Sequence, residues 1–69
     1  MDTAAKIKDA RSRKGLTQQR LGELLGYESG VAISVWESGR RIPNAINLRE
    51  IAKALDVTTD YLLGVGVSQ

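Results

Sequence analysis

Apolar residues recur along this chain at helical spacing, in five short runs punctuated by glycine, proline or small polar residues, with none of the two-residue alternation of a half-buried strand. The first run sets Ile7, Ala10 and Arg11 at i, i+3 and i+4; with Asp2 or Thr3 as cap and Gly15 as stop it predicts a helix through about Lys14. Thr17 opens a second helix, without a reciprocal capping box because Arg20 occupies the third position, and Leu21, Leu24 and Leu25 form its apolar face before Gly26. Ser29 is placed to cap a third helix from Gly30 to Ser38, with Ile33 and Trp36 facing inward and Gly39 ending it. Arg40 to Pro43 is extended, since a residue before proline is pushed out of the helical region. Asn44 caps a fourth helix to Leu55, whose Leu48, Ile51, Ala52 and Leu55 make the most regular stripe in the chain. Asp56 to Thr58 is a turn, Thr58 or Thr59 caps a last short helix filled by Tyr61, Leu62 and Leu63, and Gly64 closes it. The pattern predicts an all-α fold, a compact bundle of five short helices over residues 1–64, followed by a flexible tail at 65–69.

Two positions resist a purely scaffold reading. Gly22 lies inside the second helix, where it costs about 1 kcal/mol relative to alanine; close approach of a neighbouring backbone would account for it. Gly30, Val31, Ser34 and Val35 are left on the outer side of the third helix, where a solvated helix would carry Lys and Glu. That is an apolar surface with poor helix propensity, so a partner should want it, unless Val31 belongs to the core.

Composition narrows the chemistry. The 69 residues contain neither histidine nor cysteine, which removes disulfides, thiolate metal sites and the commonest general base and metal ligand. With no glycine-rich phosphate loop and no paired carboxylates at a pocket, an enzyme is excluded, and no cofactor, metal or small-molecule ligand is expected. No apolar run approaches the roughly 20 residues of a membrane span, and no signal-peptide core is present, so a cytoplasmic protein with no membrane partner is expected. The net charge is only +2, but residues 1–41 carry eight Lys and Arg against five Asp and Glu, while residues 42–69 carry two against three. That skew fits a phosphate-facing side and equally fits ordinary solvated helices.

The spacing of Gln18, Leu21, Leu25, Gly26, Ile33, Trp36, Glu37, Gly39 and Pro43, with WESGRRIP after the third helix and IAKALDVTTDYLLG at the end, resembles the lambda-repressor and Cro (XRE-type) helix-turn-helix family. The resemblance covers roughly Ile7 to Gly64 and implies a DNA-binding domain whose recognition helix starts near Ser29. In this family the residue matching Gln18 bonds a phosphate, and Thr17 lies beside it at the start of the same helix. Arg11 matches a residue that pairs with the one matching Glu37, bracing the third helix on the first. Gly30, Val31, Ser34 and Val35 match groove-facing positions, and Ser29 stands just before them as a further candidate for base reading. Neither Val nor Gly can hydrogen-bond a base edge, so readout by Val31 and Val35 would be contact with thymine methyl groups, with Ser34 and Ser29 as polar contributors. Arg40 and Arg41 match basic residues set against the backbone or in the minor groove.

The chain departs from the pattern once, with one residue more than usual between Gly26 and Ile33. The Tyr27-Glu28 turn is the natural place for it; an earlier start of the third helix is the alternative, and would shift the groove-facing set. The resemblance implies a prokaryotic or phage transcriptional regulator, a repressor that binds double-stranded DNA as a homodimer on a two-fold operator. Asp60 to Leu63 and Val65-Gly66-Val67 are the candidate dimer surface. The alternative is an antitoxin or other protein-binding module of the same fold.

Overall fold

The computed structural model describes residues 2–65. Five helices follow one another: α1 (Thr3–Arg13), α2 (Gln18–Leu24), α3 (Val31–Ser38), α4 (Ala45–Leu55) and α5 (Thr59–Leu63). Four begin in the same way. The side chains of Asp2, Thr17, Asn44 and Thr58 each accept from the backbone N–H three residues on, at 3.4, 3.0, 2.8 and 2.9 Å, satisfying one of the donors a helix start leaves unpaired. Four also end alike. At α2, Gly26 is left-handed (φ 92°), its N–H donates to the Glu23 carbonyl at 3.0 Å, and the Tyr27 N–H donates back to Gly22 at 2.9 Å. The same pair of bonds closes α1 at Gly15 and Leu16 and α5 at Gly64 and Val65. It also closes α4, where Asp56 takes the left-handed conformation (φ 59°) that glycine takes elsewhere.

A single core joins all five elements. It comprises Ile7 and Ala10 of α1, Leu21 of α2, Ile33 and Trp36 of α3, Leu48, Ile51, Ala52 and Leu55 of α4, and Leu62 of α5. The packing sets α3 against both α1 and α2, while α5 closes against α1 and α4. The fourth helix buries the whole stripe its periodicity predicts. Pro43 is buried where the chain enters it.

Two expectations are corrected. Leu24 is 47 % exposed; in the seven-residue α2, Leu21 and Leu25 bracket the inward direction and Leu24 lies on its far edge. The third helix begins at Val31, with Gly30 in the capping position and no side-chain cap across it. The Ser29 hydroxyl instead accepts from the Val31 N–H at 3.3 Å. In α5 Leu62 is fully buried, Tyr61 packs at the core edge and Leu63, within the candidate dimer surface, is 41 % exposed. Of the expected tail, Gly66 to Gln69 lie outside the described residues, and with them Gly66 and Val67 of the candidate dimer surface.

Candidate nucleic-acid interface

Two glycines bring α2 and the start of α3 into backbone contact. A Cβ on Gly22 would lie 2.2 Å from the Ser29 carbonyl oxygen, and one on Gly30 would lie 2.7 Å from the Gln18 carbonyl carbon and the Gln19 nitrogen. No side chain fits at either place. The first contact is the close approach expected of Gly22. The second corrects the outward direction expected of Gly30, which turns into α2 and locks the two helix starts together.

That lock explains why α3 starts at Val31 and not earlier: the backbone at Gly30 must first seat against Gln18 and Gln19. The connection between the two helices runs from Leu25 to Gly30. There the Tyr27 ring packs edge-on to Trp36, with centroids 6.1 Å apart and planes at 70°. Glu28 is exposed. Since Ile33 and Trp36 are both buried, the helix keeps the register in which Val31, Ser34 and Val35 lie on its far side. Val31 is 68 % exposed and is not core, while Ser34 and Val35 are half-buried. At about 100° per residue these three share one arc with Ser38, which sequence reasoning passed over as a helix terminus. Its hydroxyl donates to the Val35 carbonyl at 2.6 Å and accepts from the backbone N–H and Nε of Arg40, both at 3.2 Å.

Behind the arc, one carboxylate ties three helices together. The Glu37 side chain is 4 % exposed and accepts from Arg11 Nε at 2.6 Å and Arg11 Nη2 at 3.1 Å, a two-pronged ion pair between α3 and α1. Arg11 Nη1 donates to the Leu16 carbonyl at 2.7 Å. The guanidinium is held above its ordinary pKa, chiefly by its hydrogen bond to Glu37 and against the opposing effect of burial. Gln18 completes the set, its Nε2 donating to Glu37 Oε1 at 3.0 Å. The Arg11–Glu37 brace was expected; the Gln18 contact was not. Gly30 and Glu37, seven residues apart, share the edge of α3 that meets the start of α2, an edge that only the packing of Gly30 identifies.

Three further candidate contact residues flank α2 and α3 in sequence. Thr17 is exposed with its hydroxyl oxygen engaged in capping, and Arg40 and Arg41 are exposed just past α3. Among the described residues Arg41 forms no ion pair or hydrogen bond through its side chain, whereas Arg13 and Arg20 pair with Asp9 and Glu23 on their own helices.

The helix-turn-helix family profile matches residues 7–62. The chain belongs to the helix-turn-helix family. It is 46 % identical over 63 residues to the transcriptional activator BcrR of Enterococcus faecalis, covering 91 % of this chain and 30 % of that one. It is 41 % identical over 64 residues to repressor protein C2 of Salmonella phage P22, covering 93 % and 29 %. This helix-turn-helix chain thus spans less than a third of the length of those two relatives. It also superposes on the P22 c2 repressor solved in complex with a synthetic operator, with a TM-score of 0.83 and 37 % identity over 90 % of this chain and 92 % of that one. Among the described residues no helix is long and apolar enough to cross a membrane.

Proposed function

We propose that this chain is the sequence-specific DNA-binding domain of a cytoplasmic transcriptional regulator, acting by occupancy and not by catalysis. The observation that carries the reading is the apolar arc of α3, Val31 above all, exposed beside the capped start of α2. An exposed valine there gains nothing for the free domain, whereas in a major groove it packs against thymine methyl groups. Ser34, Val35 and Ser29 read alongside it, while Gly30 seats α3 on α2. Gln18, Thr17, Arg40 and Arg41 hold the sugar-phosphate backbone, supply much of the affinity and make it fall with salt. The regulator binds as a homodimer to a two-fold operator with half-sites about one helical turn apart, and represses by blocking polymerase. Leu63 and Val65, both exposed near the end of α5, are the apolar residues available for pairing.

Selection from random duplex DNA tests this reading. The expected product is a two-fold site with a thymine preference at the position read by Val31. Enrichment of no sequence, with binding equal across duplexes, overturns it.

A further inference from the structure

We propose that Glu37 is a positioning residue for the phosphate contact of Gln18, fixing which face of the Gln18 amide is turned to DNA. The inference rests on reading the chain as a DNA-binding domain.

A glutamine amide has two nearly isosteric orientations, one presenting N–H donors and the other a carbonyl acceptor. Only the donor can bind a phosphate oxygen, so a free glutamine would spend part of its time misdirected. An ionised carboxylate accepts and never donates, so the atom of Gln18 that faces Glu37 must be Nε2. The contact is made at 3.0 Å. Nε2 carries two hydrogens; one is bound to Glu37, and the other has no partner among the described residues. The orientation of the amide is therefore set before DNA arrives.

The carboxylate can do this because it is itself immobile and compensated. Arg11 grips both of its oxygens and is in turn fixed to the Leu16 carbonyl, in the turn leading to α2. The paired cation also offsets the negative charge that would otherwise stand close to a phosphate. Helix α3 thereby carries the orienting group for a contact made by α2, so the phosphate anchor and the reading arc are held in one register.

The test is a double-mutant cycle with Gln18→Ala and Glu37→Gln, binding measured by fluorescence anisotropy on the selected duplex and folding checked by circular dichroism. Gln18→Ala is expected to weaken binding at least tenfold, on the order expected for a hydrogen bond to a charged group. Glu37→Gln should weaken the parent several-fold and the Gln18→Ala background hardly at all. Equal penalties in both backgrounds overturn the proposal. Should Glu37→Gln not fold, the parent protein still decides it by NMR. On titration with the duplex, one of the two Gln18 amide protons should shift strongly, and neither moving overturns the proposal. Failure to select any duplex would overturn the DNA reading itself, whereas a selected duplex with additive penalties overturns only the role of Glu37.

Discussion

Val31 and Gly22 illustrate opposite ways in which one residue can look wrong for its helix. Val31 is a β-branched residue left mostly in water at the first position of α3. Val31→Ala should leave the stability of the domain within about 0.5 kcal/mol, the usual range for a surface change. In competition binding it should relax preference at one base pair by about 1–3 kcal/mol. Gly22 is a poor helix former that is indispensable for packing. Gly22→Ala gains about 1 kcal/mol in helix propensity, yet its methyl would meet the Ser29 carbonyl at 2.2 Å. Denaturant unfolding should therefore show a net loss of about 1–3 kcal/mol, the typical cost of overpacking. The anomaly of Gly22 was legible in the sequence because a mid-helix glycine has few explanations. The direction of Gly30 was not, since a glycine has no side chain to betray which neighbour it meets.

At the level of elements, α3 is too short to hold its angle by propensity and depends on what grips it from behind. Removing one member of a buried pair leaves the other unpaired. Arg11→Met should therefore cost about 3–5 kcal/mol in denaturant unfolding, even though methionine fills much of the same volume. The folded-state pKa of Arg11 is raised, so its contribution is complete below the ordinary arginine value and is lost only as pH rises through the raised one. The stability gap between parent and Arg11→Met should consequently stay constant from neutral pH to about pH 10. Arg41, by contrast, makes no side-chain ion pair or hydrogen bond among the described residues. Arg41→Ala should leave the unfolding transition in place while lowering the slope of log affinity against log salt by about 1. Helix ends were legible wherever a capping side chain and a glycine bracketed a run, as at α2 and α5. The end of α4 was legible from the turn at Asp56 to Thr58, although Asp56 takes the left-handed position for which glycine is the usual signal; the start of α3 was not, because the seating of Gly30 on α2 overrides Ser29 as a cap.

Across the whole molecule the core is small and shared, and Trp36 links it to the turn before α3. It lies with Ile33 in the central cluster while its ring meets Tyr27 in the turn. Trp36→Ala should cost about 3–5 kcal/mol, a large part of the stability of so short a chain, and thermal melts should show the domain largely unfolded. The inward stripes of α1 and α4 announced the bundle because a period of 3.6 survives in any helix of three turns. The two-turn helices gave weaker signals, and the spacing of Leu24 puts it on the apolar face when only the packing of neighbours decides it.

The arc that faces outward and the contacts that hold α3 in place share almost no side chains. Glu37, Gly30, Ile33 and Trp36 look back into the domain, while Val31, Ser34 and Val35 look away from it. Specificity can therefore drift without endangering folding. A library randomised at those three positions should yield mostly folded members with divergent operators, each inheriting the same grip on the phosphates. The domain is a socket with an exchangeable face.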